Sequence, residues 1–144
     1  MTIAIASDHR GYKLKEFLKN NLKDEIIDLG TNSLESTDYP KYAFKLGEIV
    51  ASNKADFGIA ICGSGIGISI ACNKVKKIRC AKVNNVEEAK ITREDNDSNI
   101  IALSEKTSNI DALLIVNTFI KTKFTKLEKH QNRINKITKY EENN

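Results

Sequence analysis

The sequence contains no apolar run approaching the roughly 20 residues that a membrane span requires, and no charged-then-apolar leader. A soluble, unprocessed, cytoplasmic protein with no membrane partner is expected. Cysteine is sparse: Cys62, Cys72 and Cys80 are odd in number and include no C-x-x-C pair, which argues against a disulfide frame or a zinc knuckle and leaves reduced thiols. Histidine is sparser still. His9 and His130 lie far apart with no acidic cluster at ligand spacing, so no metal is expected. Proline occurs once, at Pro40, and no repeat, linker or low-complexity tract interrupts the 144 residues, 40% of them hydrophobic, so one domain over 1–144 is expected. The formal charge is +4, but lysine and glutamate are interleaved, and only the stretch from Lys121 to Lys139 is locally basic, with few aromatics. Nucleic-acid binding is therefore not the expected role. Four arginines, Arg10, Arg79, Arg93 and Arg133, stand against nineteen lysines. Where arginine is kept, a planar bidentate donor is the expected need.

Hydrophobic periodicity alternates along the chain. "TIAIA", "EIIDLG", "DFGIAIC", "IRCAKV" and "SNIIALS" read as short strands, and the segments between them carry apolar residues at helical spacing. Five strands alternating with helices imply an α/β fold with a parallel sheet covered on both faces. In a flavodoxin-like order the first and third strands are neighbours at the point where the strand order reverses. The loops "SDHRG" and "CGSGIG", which leave their carboxyl ends, should then share one cleft. A last segment, 127–142, has a narrow apolar stripe and reads as a helix packing across the domain or onto a second subunit.

Read alone, "CGSGIG" leaves two possibilities. The glycines let a strand turn sharply into a helix, or their N–H groups at the helix start face an anion or a developing oxyanion, with the Ser64 hydroxyl beside them. It lacks the last glycine of the dinucleotide fingerprint and any GK[ST]. Cys62 immediately precedes the turn, where the same N–H groups would favour a thiolate; a buried, inert cysteine is the competing reading. Asp8 and His9 end the first strand either as a helix cap and an incidental imidazole, or as groups that bond sugar hydroxyls, move a proton or meet a phosphate. Cys72 and Cys80 read as inert.

"SDHRG", "TDYP" at 37–40, "CGSGIGISIACNK" at 62–74, "IR" at 78–79 and "REDNDSNIIAL" at 93–103 occur in an order and at a spacing that resembles the type B ribose-5-phosphate isomerase family. That family also holds galactose- and allose-6-phosphate isomerases. The resemblance implies a Rossmann-like α/β/α sandwich and a homodimer, or a tetramer, with shared active sites. It also implies a cofactor-free and metal-free aldose–ketose isomerase of the pentose phosphate pathway, interconverting ribose 5-phosphate and ribulose 5-phosphate through an enediolate. On that resemblance Cys62 is the base between C1 and C2, and Gly63, Ser64, Gly65 and Gly67 hold the oxyanion. Asp8, His9 and Tyr39 bind the sugar, and Asn96 does so from the second subunit. Phosphate falls to His9, Lys106, Lys129 and Arg133.

The chain departs from the family pattern at lysines 106 and 129, where arginine is usual, and at Asp95, where a histidine credited with ring opening is usual. Asp95 is thus the candidate replacement catalytic group. A hexose-6-phosphate isomerase and a catalytically weak sugar-phosphate-binding protein are the alternatives.

Overall fold

The computed structural model describes all of residues 1–144. Five strands, β1 (Thr2–Ser7), β2 (Glu25–Asp28), β3 (Phe57–Cys62), β4 (Cys80–Lys82) and β5 (Ile100–Ser104), form one parallel sheet. The helices are α1 (Tyr12–Asn21), α2 (Tyr39–Ala51), α3 (Ile66–Cys72), α4 (Val86–Asn96), α5 (Asn109–Lys121) and α6 (Glu128–Glu142). None is long and apolar enough to cross a membrane.

The strand order is β2-β1-β3-β5-β4, so the expected pairing of the first and third strands holds while the far half departs from the flavodoxin-like order. After α3 the chain passes the slot beside β3, forms an edge strand, and returns through α4 to fill that slot with β5. Side-chain chemistry gives the reason. β4 is three half-buried residues ending in Lys82, suited to an edge, whereas the Ile-Ile-Ala-Leu of β5 is buried and suited to the centre. The register then sets Ser104 of β5 opposite Cys62 of β3.

Alternation within the central strands sorts residues by size. Ala4, Ala6, Ala60 and Ala102 pack with Tyr42, Ala43, Leu46, Ile68 and Ala71 of α2 and α3. Ile3, Ile5, Ile59, Ile61, Ile101 and Leu103 pack on the opposite face with Leu14 and Leu18 of α1 and Ile115, Val116 and Phe119 of α5. Small residues on the first face let α2 and α3 approach closely. Cys62 belongs to that face, which aims its sulfur toward α3.

Lys15 is fully buried on α1 yet satisfied: Nζ donates to Asp28 Oδ1 and Oδ2, both at 2.9 Å, and to Glu16 Oε2 at 2.7 Å. Asp28 also accepts from the Gly30 N–H, so this pair ties α1 to the loop that follows β2.

Candidate active site

At the carboxyl end of β3 the chain turns through Gly63, Ser64 and Gly65 into α3. Gly65 caps this helix at φ +78°, a left-handed conformation that a side chain strains, and a Cβ there would come within 2.9 Å of the Leu103 backbone carbon. This conformation points the Gly65 N–H back at Cys62, and it donates to Sγ at 3.2 Å. The sulfur is therefore an acceptor, and the residue is only 4% exposed. The Ser64 hydroxyl accepts from the Ile66 N–H at 3.1 Å and stays exposed. Gly67 faces Tyr39 so closely that a Cβ would lie 2.6 Å from the ring. Cys72 and Cys80 behave differently: the Cys72 thiol donates to the Ala43 carbonyl at 3.8 Å, and the neighbouring Cys80 thiol, with burial, pushes it far up, as expected of an inert cysteine.

Asp8 follows β1, the strand paired with β3. It is buried, and Oδ1 accepts from the N–H groups of Arg10 at 3.0 Å and Gly11 at 3.1 Å, so it holds the turn ahead of α1, whose N-cap is Gly11, and does not cap the helix itself. The imidazole of His9 sits with Nδ1 3.2 Å from both the N and the O of Thr37, which ties the first loop to the segment entering α2 at Tyr39. Asp8, His9, Tyr39, Cys62 and the 63–67 turn thus converge at one end of the sheet. Arg10 joins them. Its guanidinium lies against Gly63, where a Cβ would meet Nη1 at 2.5 Å, and pairs with Glu105. A cavity on this side is lined by Arg10, Ser64, Lys82 and Lys106 among others. Neither Arg10 nor Glu105 was expected from sequence; the signal was one of the few arginines standing directly after Asp8-His9.

The remaining expected site residues lie elsewhere. α4 runs back against the strands, so Asp95 and Asn96 at its end sit by the amino end of β5. The length of that strand, on the order of 15 Å, separates them from the Cys62 end. α6 packs there too: Asp95 Oδ1 lies 3.4 Å from His130 Nε2, and Glu141 accepts from the Lys77 N–H at 2.8 Å. Lys129 and Arg133, on the same helix, are exposed. Of the four residues expected to meet phosphate, a single chain brings only His9 and Lys106 to the Cys62 end.

The turn after α4 is gripped by two of the four arginines. Asp97, at φ 47°, accepts from Arg93 Nη1 at 2.8 Å and Arg79 Nη2 at 3.4 Å, while Arg79 also donates to the carbonyls of Asn96 and Asp97, each at 2.9 Å. Arg93 donates further to the Ser98 carbonyl and lies 4.8 Å from the centre of the Phe57 ring. Arginine is used here for its fork, though on protein groups. Asp97→Ala would leave a buried guanidinium short of its counter-charge. With the carboxylate 39% exposed, we expect a loss of about 1–3 kcal/mol, read by chemical denaturation. No change would mean that the backbone contacts alone hold the turn.

A sequence model described as Ribose/Galactose Isomerase matches residues 3–137. The ribose-5-phosphate isomerase B of Escherichia coli is 38% identical over 144 residues, covering 97% of this chain and 96% of that protein. Among solved structures, the ribose-5-phosphate isomerase B of Clostridium thermocellum superposes with a TM-score of 0.96 at 46% identity, over 99% of both chains. That of Mycoplasma genitalium with bound ribulose-5-phosphate gives a TM-score of 0.94 at 37% identity, covering 99% of this chain and 97% of that one. On this match, which spans nearly the whole sequence, the chain belongs to the ribose/galactose isomerase family.

Proposed function

We propose that this chain is an aldose–ketose isomerase that interconverts ribose 5-phosphate and ribulose 5-phosphate, with Cys62 as the proton-transferring base. The observation that carries the reading is the buried sulfur of Cys62, accepting from the Gly65 N–H at the mouth of a turn whose Gly63, Ser64 and Gly67 amides remain for substrate. Proton abstraction beside a carbonyl builds charge on oxygen, and the amides of the 63–67 turn with the Ser64 hydroxyl are the donors for it, each worth about 3 kcal/mol in comparable sites. In the forward direction the thiolate takes the C2 proton and the electron pair moves onto the carbonyl oxygen O1 as an enediolate; the O2 hydroxyl proton then passes to O1, the carbonyl re-forms at C2, and the sulfur returns its proton to C1. Asp8 and Tyr39 bind the sugar.

The site is completed by a second copy of the chain. Asp95, Asn96, Lys129 and Arg133 lie at the opposite end of the sheet from Cys62, and exposed Ile66 and Ile70 on α3, Ile91 on α4 and Ile137 and Tyr140 on α6 give a homodimer apolar surface to bury. In that dimer Asn96 contacts sugar hydroxyls, and phosphate meets His9 with the basic residues. Tyr39 offers a test of sugar placement. Gly67→Ala drives a methyl into its ring, so KM should rise about tenfold with the fold intact, while an unchanged KM would remove Tyr39 from the sugar site.

The reading is tested by supplying ribose 5-phosphate and allose 6-phosphate to the purified protein and following ketose formation. Conversion of the pentose phosphate in preference supports it. Conversion of the hexose phosphate alone would assign the chain to the hexose branch of the family, and binding without turnover would leave a sugar-phosphate-binding protein.

A further inference from the structure

Asp95 and His130 form the one carboxylate–imidazole pair in the chain, with Oδ1 and Nε2 3.4 Å apart. The imidazole is the better shielded partner, its side chain 12% exposed against 42% for the carboxylate. Both are held from behind. Arg79 and Arg93 fix the turn directly after Asp95, and the Thr125 N–H and hydroxyl both bond the Glu94 carbonyl, so the strap leading into α6 is tied to the end of α4. His130 lies in the first turn of α6, one turn from Arg133 and facing the segment that carries Asn96. The other imidazole, His9, is occupied by Thr37.

Resting on the function proposed above, we infer that His130, oriented by Asp95, is the acid–base group that opens the furanose ring of the substrate. Ribose 5-phosphate is mostly a closed hemiacetal, and isomerisation needs the open aldehyde. A carboxylate can only accept a proton, whereas an imidazole can accept one and then give it back. Nε2 lies beside the Asp95 carboxylate, which favours a proton on that nitrogen and leaves Nδ1, bonded to no group of the chain, as the base. The contact, slightly long for a hydrogen bond, tightens when substrate excludes water. In the step itself, Nδ1 takes the proton of the O1 hydroxyl and the freed electron pair forms the C1=O double bond. The bond from C1 to the ring oxygen breaks with its pair on that oxygen, which receives the same proton back. No proton is gained or lost, and the Asp95 carboxylate stays ionised beside the transient imidazolium.

The test exploits the fact that ribulose 5-phosphate has no furanose to open. Initial rates are measured against enzyme concentration from each sugar, for the wild type, His130→Gln and Asp95→Asn. For His130→Gln, open aldehyde must form unaided, so the rate from ribose 5-phosphate should reach a plateau: about tenfold more enzyme should raise it less than about twofold, while the rate from ribulose 5-phosphate stays proportional to enzyme. Asp95→Asn, which keeps the imidazole, should stay proportional to enzyme but with a reduced slope from ribose 5-phosphate and an unchanged one from ribulose 5-phosphate. Proportional rates from ribose 5-phosphate with His130→Gln would overturn the inference, as would loss of both directions alike, which marks a general structural role. An Asp95→Asn variant indistinguishable from wild type would overturn the pairing. A wild type inactive on both sugars would refute the proposed function instead, so the two failures are told apart.

Discussion

Replacing Cys62 by alanine should lower turnover at least about 100-fold while leaving the fold and sugar-phosphate binding in place. The fold should survive because Cys62 lies on the sheet face already built from Ala4, Ala6, Ala60 and Ala102, where a methyl group is the usual occupant. Binding should survive because Asp8, His9 and Tyr39 hang from β1 and α2, elements other than the strand that carries the sulfur. What goes is the only group at the end of β3 able to take a proton from carbon, since the neighbouring glycines offer amides alone. Alkylation supplies an independent check. Iodoacetamide should modify Cys62 and inactivate the protein, with ribose 5-phosphate protecting, while Cys72, buried and donating to the Ala43 carbonyl with its thiol pushed far up, stays unreactive. Retention of more than about a tenth of the wild-type kcat would remove Cys62 from the role of base.

The second large effect is a gain. If sites combine the Cys62 turn of one copy with Asp95 and Asn96 of another, then Cys62→Ala and Asn96→Ala proteins should each be inactive alone, yet recover activity when their subunits exchange. Random exchange makes half of the dimers mixed, and each mixed dimer holds one intact and one doubly damaged site, so about a quarter of wild-type activity should return. The reasoning rests on chain direction: a helix running back against a parallel strand must end where the next strand begins, so nothing at the end of α4 reaches the carboxyl end of the sheet within the same chain. Failure to recover activity after verified exchange would mean that each chain holds a complete site.

Much of this was legible in the residues. Alternating strand and helix patterns predicted the parallel sheet, and the polar, glycine-rich exits of the first and third strands predicted a cleft at the reversal point, where Asp8 and the Cys62 turn stand. The order of the last two strands was left unassigned although the signal was present: "IIAL" is a central strand by its unbroken apolar run, and "CAK" an edge strand by its length and lysine. What sequence could not supply was distance through space. Glu105 beside Arg10 and His130 beside Asp95 are separated by 95 and 35 positions, and neither pair has a local pattern that announces it. The two-ended distribution of the candidate residues was likewise invisible in a list of motifs. It follows only once α4 is seen to end at the amino side of the sheet.

The most direct test of the central claim is to incubate the protein with ribose 5-phosphate and a strong chelator in deuterated buffer and follow the sugar by NMR. The account predicts that ribulose 5-phosphate appears with solvent deuterium at C1, at the same rate with and without chelator, and that Cys62→Ala forms none. Absence of ketose from the wild type, or ketose formation that the chelator abolishes, would contradict an isomerase whose proton is carried by Cys62.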